Sequence, residues 1–162
     1  MGIRPGVTTF AEAALILQNA GAPCAAITPG KSLFCQSGDT SIGVATSGPC
    51  SADSEGPMVA EIGLRPPAKI TLGEFIAKYG QPDLMRMDSG GSLAMFSHDS
   101  LQALVSLAQQ LSQQPPYTLT SDTIISYFDY VTVAEYPKCV QLMGNRLQPW
   151  KGFGMYTPKM NP

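Results

Sequence analysis

One short pattern occurs twice in this chain, and the repeat constrains the fold more than any other feature. The first copy runs from Thr9 to Pro23 and the second from Thr71 to Pro82. Each copy opens with Thr-x-x-Glu, continues as an amphipathic stretch and ends with Gly-x-Pro. The Thr can cap a helix N-terminus while the Glu reaches back to it, and Gly and Pro suit the helix exit. Each copy therefore predicts one short helix with a buried face.

A hairpin is predicted behind each helix. The turn residues are 29–30 in the first copy and 89–91 in the second, and strand-like runs flank both turns. We therefore predict an α+β fold of two tandem helix-plus-antiparallel-sheet units, over residues 1–68 and 69–162, which could share one continuous sheet. The alternative is a single irregular domain, because short Gly and Pro signals recur in any loop-rich chain.

Further elements are predicted around the two hairpins. Residues 41–46, 57–64, 123–133 and 139–143 have the composition of strands. An extra helix is predicted near residues 100–113 of the second unit, where one helical face carries Leu101, Leu104, Val105, Ala108 and Leu111. These elements differ between the two copies, so we expect the specific function of the protein to depend on them.

The charge of the chain argues against two classes of partner. Only 14% of the 162 residues are charged and the formal net charge is -2. The chain thus lacks a basic footprint for nucleic acid and a polybasic patch for a membrane surface. No apolar run approaches the roughly 20 residues that span a bilayer. Residues 1–6 lack the apolar core of a signal peptide, so any export signal or lipid anchor is expected upstream of this sequence.

The four cysteines admit two interpretations. If residues 29–30 form a two-residue turn, Cys24 and Cys35 face each other across the hairpin. Opposed Cβ atoms lie about 4.5 to 5.5 Å apart, within reach of a disulfide after local adjustment. Cys50 and Cys139 would then be the second pair, one of three possible connectivities, in a periplasmic, secreted or membrane-anchored protein. The alternative is four reduced, buried thiols in a cytosolic protein.

Motifs for catalysis, metals and cofactors are weak or missing. Asp88-Ser89-Gly90 matches the core of aspartic proteases, but no second copy occurs. The run from Ser97 to Ser100 contains all three triad residue types, yet adjacent side chains cannot form a catalytic triad. No C-x-x-C occurs and His98 is the only histidine, so no metal site or cofactor is expected. We predict a protein that is not an enzyme, with a hydrolase using Asp88 or His98 as the alternative.

The helix-entry and helix-exit residues also carry a family resemblance. They are Gly6-x-Thr8 and Gly21-x-Pro23 in the first unit, and Thr71 and Gly80-x-Pro82 in the second. This arrangement resembles small bacterial envelope lipoproteins of the SmpA/OmlA (BamE) type and the tandem repeats of β-lactamase-inhibitor-like proteins. The second unit lacks the leading Gly of that pattern. The resemblance implies an exported protein, with a lipid anchor as one option, whose relatives bind other proteins rather than catalyse reactions.

Aromatic residues of the C-terminal half are the candidate binding site. Alternation along residues 123–133 sends Phe128 and Tyr130 to the same strand face, and a sheet with helices on one side only would expose some such aromatics. Exposed aromatic side chains commonly anchor interfaces. The candidate binding residues are Phe128, Tyr130, Trp150, Phe153 and Tyr156. We expect an extracytoplasmic binding or envelope-associated protein that contacts another protein through this aromatic face.

Two alternatives to that aromatic face stay open. Aromatic side chains often fill a core instead of a surface, in which case they would be buried. The protein could also be a small-molecule carrier, with its ligand between the sheet and the extra helix. Burial of the aromatics or a closed apolar pocket would distinguish these alternatives.

Overall fold

A computed structural model gives the fold. It describes residues 2–48, 50, 56–66, 68–87, 92–97, 101–106 and 115–159, and within 92–97 and 101–106 it describes the backbone alone. Asp88 and His98, the two candidate catalytic residues, lie outside these ranges, and so do residues 107–114 of the predicted extra helix.

The described part of the chain contains three α-helices, a 3-10 turn and thirteen strands. The helices are α1 (Phe10–Asn19), α2 (Leu72–Tyr79) and α3 (Glu135–Met143), and the turn is Gly144–Arg146. The strands are β1 (Cys24–Thr28), β2 (Ser32–Ser37), β3 (Thr40–Ala45), β4 (Glu61–Arg65), β5 (Ile70–Thr71), β6 (Leu84–Met87), β7 (Ser92–Ser97), β8 (Leu101–Ser106), β9 (Tyr117–Leu119), β10 (Ile124–Ile125), β11 (Tyr127–Val131), β12 (Leu147–Pro149) and β13 (Gly154–Tyr156). None of the described helices has the length and apolar character needed to cross a membrane.

Both repeated patterns form the helix start that they predict. The backbone N–H of Glu12 donates to Thr9 Oγ1 at 3.2 Å, and the N–H of Thr9 donates to Glu12 Oε2 at 2.9 Å. The same two bonds join Glu74 and Thr71, at 3.2 and 2.8 Å. Gly80, with a φ of 87°, ends α2. The two predicted capping boxes are therefore confirmed.

Nine strands form one antiparallel sheet, in the order β1-β2-β3-β4-β11-β8-β7-β6-β12. Strands β1 to β4, which follow α1, make one half of it. Strands β6, β7, β8 and β11, which follow α2, make most of the other half. The two halves meet where β4 pairs with β11. The predicted α+β class is confirmed, whereas the duplication and the division near residue 68 stay predictions.

Alternation of side chains gives this sheet two different faces. On the helix face, α1 and α2 each cover a separate core. The first core contains Ala13, Leu17, Leu33, Cys35, Ile42, Val44, Val59 and Ile62, and the second contains Leu72, Phe75, Met85, Met87, Tyr117, Leu119, Ile125, Phe128 and Tyr156. On the opposite face, α3 packs Cys139 and Met143 against Leu84 and Leu147. We call the part of that opposite face over β1 to β4 and β11, which α3 leaves uncovered, the open face.

The β1–β2 hairpin has the predicted register at its cysteines, but its turn differs from the predicted one. Cys24 pairs with Cys35, and a disulfide joins them. Thr28 pairs with Ser32, so the turn has three residues instead of the two that we predicted. Ile27 is an extra residue on β1, and this bulge restores the predicted register at the cysteines.

The second predicted disulfide is also present. It joins Cys50 to Cys139 across a sequence separation of 89 residues and ties α3 to the loop before β4. All four cysteines are therefore oxidised. Because structural disulfides form and persist outside the reducing cytosol, the protein belongs to an oxidising, extracytoplasmic setting.

The extra helix predicted near residues 100–113 is wrong where the structure describes it. Leu101–Ser106 is strand β8, which pairs with β7 on one side and with β11 on the other. The apolar residues there satisfy a helical period, but short apolar runs are ambiguous between helix and strand. Strand β7 pairs along the whole segment and β11 pairs along its first four residues, and this tertiary pairing overrides the local pattern.

Residues 139–143 were predicted to form a strand, and this is also wrong. They belong to α3, whose buried residues are Glu135, Cys139 and Met143. Their spacing of four places them on one side of a helix. In a strand they would share a face with Pro137 and Gln141, which are exposed. The helix buries this side against the sheet.

Candidate binding face of the sheet

A shallow depression of about 170 Å³ lies on the open face where β2, β3, β4 and β11 are neighbours. Its apolar rim is formed by Ile27 and Phe34. Its floor includes the small residues Gly43, Ala45 and Gly63, and its polar wall includes Glu61 and Tyr127. Ile27 is 69% exposed and Phe34 is 38% exposed. The rim therefore presents apolar side chains to solvent on a face that no described helix covers.

A glycine makes room for the hydroxyl end of Tyr127 over this floor. Gly63 pairs with Gly43 across β3 and β4. A Cβ on Gly63 would overlap the hydroxyl of Tyr127 and would stand 2.8 Å from Asp129 Oδ1. The absent side chain thus creates the space that brings the Tyr127 hydroxyl and the Asp129 carboxyl together over β4.

Two carboxyl groups meet beside that glycine. Asp129 is 3% exposed, and its side chain hydrogen-bonds with the Glu61 carboxyl and accepts a bond from the Tyr127 hydroxyl. Within the described chain, its Oδ1 atom satisfies no hydrogen bond of ordinary geometry. Two adjacent carboxyls in a buried place cannot both ionise easily, so they share a proton.

The electrostatics of the pair follow from this burial. Burial, then the charge of Glu61 and the hydrogen bond with Glu61, raises the pKa of Asp129 to about 8. Burial also raises the pKa of Glu61, the hydrogen bond with Asp129 lowers it, and the charge of Glu135 raises it again. Burial and the charges of Asp129 and Glu61 raise the pKa of Tyr127. The Asp129–Glu61 pair therefore favours holding one proton between its two carboxyls.

This arrangement places one carboxyl of the pair where a cation can reach it. Asp129 is too buried to touch a ligand, whereas Glu61 and Tyr127 line the depression. A positive group that approached Glu61 would lower the pKa of the pair and favour release of the shared proton. The site can therefore couple the binding of a basic group to proton release.

Phe128 and Tyr130 do not lie on the open face, and that part of the prediction is wrong. Phe128 is 8% exposed and belongs to the core under α2. Tyr130 packs against both cores, and its hydroxyl donates to the hydroxyl of Tyr79 at 3.0 Å. Their strand face is the one that α1 and α2 cover, so the opposite alternation, with Tyr127 and Asp129, faces the open side.

The side chains of Trp150, Phe153 and Tyr156 are in contact, and they mostly pack against one another. The Trp150 ring stacks on Tyr156 at 5.8 Å and meets Phe153 edge-on at 5.9 Å. Tyr156 is buried, and its hydroxyl accepts from the N–H of Lys151 and donates to the carbonyl of Gly152. Phe153 is 49% exposed, so it is the member of this group that a partner could contact.

No sequence motif identified Glu61, Gly63 and Tyr127 as site residues. One signal pointed to them, since Gly43 and Gly63 each interrupt a run of strand-forming residues, and glycine inside a strand often marks a close approach. The approaching group, however, comes from β11, some sixty residues away in the sequence. No group of three or more His, Cys, Asp or Glu that could hold a metal occurs among the residues described.

Comparison with protein-family models, with curated proteins and with solved structures finds no match for this chain. The resemblance to SmpA/OmlA-type lipoproteins and β-lactamase-inhibitor-like repeats therefore stays a prediction from the sequence.

The Asp129 carboxyl leads to a prediction about pH. An acid whose pKa is raised from 3.8 to about 8 by folding binds more protons in the folded state between those values. The free energy of unfolding should then fall as the pH rises through this range. Asp129→Asn, which keeps the shape of the neutral carboxyl, should remove most of that decline. Urea unfolding at pH 5, 7 and 9 measures it.

The matched control is Asp39→Asn, which changes an exposed aspartate in the β2–β3 turn. Its pH profile should run parallel to that of the unmodified protein. If the pH profile of Asp129→Asn also ran parallel to that of the unmodified protein, the Asp129–Glu61 pair would not share a proton in the folded protein.

Proposed function

We propose that this protein is a non-enzymatic binding protein of the extracytoplasmic space that holds another protein on its open face. The observation that carries the proposal is the depression over Gly63, which combines an exposed apolar rim with a buried carboxyl pair. Protein interfaces commonly have an apolar centre and a few polar groups that set specificity.

The rim and floor supply the apolar contact. Phe34 and Ile27 are exposed beside small floor residues, so a partner can approach the backbone of the sheet closely. An exposed aromatic side chain such as Phe34 is the type of residue that commonly anchors protein interfaces.

The polar wall favours a partner with a basic side chain. Glu61 is the member of the carboxyl pair that faces the depression, and Asp129 lies buried behind it. A Lys or Arg side chain of the partner would pair with Glu61, with its aliphatic stem against Phe34. We therefore propose a partner with a basic residue surrounded by apolar ones.

The compartment and the sequence resemblance support the same class of function. The two disulfides suit a protein outside the cytosol. The SmpA/OmlA-type and β-lactamase-inhibitor-like proteins, which the sequence motifs resemble, bind other proteins. We extend the proposal to the soluble part of a lipoprotein, with the lipid attached upstream of this sequence.

Photocrosslinking tests the proposal. A benzophenone amino acid replaces Phe34 in one variant and Leu15, a 57% exposed residue on the outer side of α1, in the matched control. Each variant is irradiated with an extracytoplasmic extract of its source cells. We expect position 34 to capture a specific protein that position 15 does not capture, because the open face is the binding surface.

The captured protein then tests the role of the carboxyl pair. Glu61→Gln should weaken its binding by about tenfold or more, the usual effect of removing a desolvated charged partner. Asp39→Asn should leave the affinity unchanged, since Asp39 lies in an exposed turn. Equal capture at positions 34 and 15, or no capture at 34, would contradict the proposal.

A further inference from the structure

A second cavity lies on the helix face, at the centre of the sheet. Its volume is about 320 Å³, and no residue of α1 or α2 contributes to its lining. The two helices each cover their own core, and the middle of the sheet, where β3, β4 and β11 are neighbours, lies between them. We call this cavity the central cleft. It lies on the other side of the sheet from the open face.

The residues that line the central cleft are apolar except for one cationic residue, Arg4. Ile42, Ile62, Leu64 and Tyr130 line its floor, and Ile3, Arg4 and Pro5 of the N-terminal segment form its wall. Ile42 and Ile62 are 8% and 6% exposed, so the floor is part of the packed sheet. Arg4 is the charged residue of the lining. A largely apolar ligand that ends in a negative group matches this lining, with the negative group beside the exposed Arg4.

Backbone hydrogen bonds hold the wall in place. The N–H of Arg4 donates to Thr8 Oγ1 at 2.8 Å, and the carbonyl of Arg4 accepts from the N–H of Thr8 at 2.9 Å. The N–H of Gly6 donates to the carbonyl of Val59 at 2.7 Å. The first two bonds close a turn within the segment, and the bonds of Gly6 and Thr8 with Val59 join this turn to the rest of the fold. The backbone of Arg4 is therefore held beside the cleft.

We propose that the central cleft binds a small amphipathic anion, a single medium-length acyl chain that ends in a carboxylate. The chain lies on Ile42, Ile62 and Leu64, and the carboxylate pairs with Arg4, whose planar fork suits that group. The volume is at the lower end of the range of small-molecule sites, which fits one short chain rather than a two-chain lipid. This activity is independent of the open face.

The test compares three ligands of equal chain length. Sodium decanoate, decanol and decyltrimethylammonium are titrated into the 15N-labelled protein, and amide shifts are followed by NMR below the micellar concentration of each ligand. We expect decanoate to shift the amides of Ile42, Leu64 and Tyr130 and to bind more tightly than decanol. The cationic ligand should bind most weakly, because Arg4 repels it.

Variants of Arg4 identify the anion contact. Arg4→Gln should weaken decanoate binding about three- to tenfold and leave decanol binding unchanged, as expected for one partly exposed ion pair. Arg4→Lys should restore most of the difference. The matched control is Arg146→Gln, at an exposed position of the 3-10 turn beside the far edge of the sheet, and it should bind like the unmodified protein.

Three results would overturn the proposal. Decanoate and decanol could bind the unmodified protein equally, the shifted amides could lie away from the cleft, or Arg4→Gln could weaken both ligands alike. A fourth measurement uses vesicles that contain an anionic phospholipid. Arg4-dependent sedimentation with these vesicles, without shifts by decanoate, would assign Arg4 to a membrane surface and would also overturn it.

Discussion

Replacing Cys50 and Cys139 together by alanine should lower the free energy of unfolding by about 4.5 kcal/mol. This disulfide joins residues 89 apart in sequence, so it removes more freedom from the unfolded chain than a short link does. It also holds Cys139, a buried residue of α3, against the loop before β4. Urea denaturation of the oxidised variant and of the unmodified protein measures the difference.

The first disulfide provides the matched control. Cys24 and Cys35 are 11 residues apart, and their joint replacement by alanine should cost about 3 kcal/mol in the same chain-entropy treatment. The β1–β2 hairpin stays paired with β3 in that variant, since six residue pairs connect β2 to β3. An equal loss in the two double variants, or a larger loss from the short link, would contradict the argument from loop length.

Gly63→Ala should destabilise the protein by about 3 kcal/mol, at the upper end of the usual cost of overpacking. A Cβ there overlaps the Tyr127 hydroxyl and comes within 2.8 Å of Asp129 Oδ1, so β11 or its side chains must move. Tyr127 lines the depression on the open face and Asp129 lies buried behind it, so their displacement should also change the titration of Asp129. Urea denaturation and NMR titration of the Asp129 carboxyl carbon measure the two effects.

Gly43→Ala separates this clash from the general effect of glycine replacement. Gly43 is the cross-strand partner of Gly63, and a Cβ there meets no atom closer than the Leu33 carbonyl oxygen at 3.9 Å. We expect a change within about 1 kcal/mol, with either sign, because alanine also restricts the unfolded chain. Similar losses at positions 43 and 63 would show that the contact with Tyr127 does not determine the cost.

Local signals in the sequence predicted the elements that depend on neighbouring residues. The two Thr-x-x-Glu patterns predicted both capping boxes, because a cap involves atoms only three residues apart. The hairpin register predicted the Cys24–Cys35 disulfide, although a bulge at Ile27 compensates for a turn one residue longer than expected. Short-range geometry was sufficient in these cases.

The wrong predictions concern segments whose structure depends on residues far apart in the sequence. Leu101–Ser106 has a helical period in its apolar residues, but β7 and β11 on its two sides make it a strand. Phe128 and Tyr130 were assigned to an open face, although their alternation with Tyr127 and Asp129 was correct. Alternation separates two faces without saying which one the helices cover, so the assignment required the packing of α1 and α2.

The sequence by itself determined the two capped helices, the α+β class and the first cysteine pair, because each depends on residues close together along the chain. Only the tertiary structure decided the site. Gly63 and Glu61 lie on β4, whereas Tyr127 and Asp129 lie on β11, and the pairing of these two strands brings their side chains together. Burial between strands then raises the pKa of Asp129, an effect that no local pattern contains.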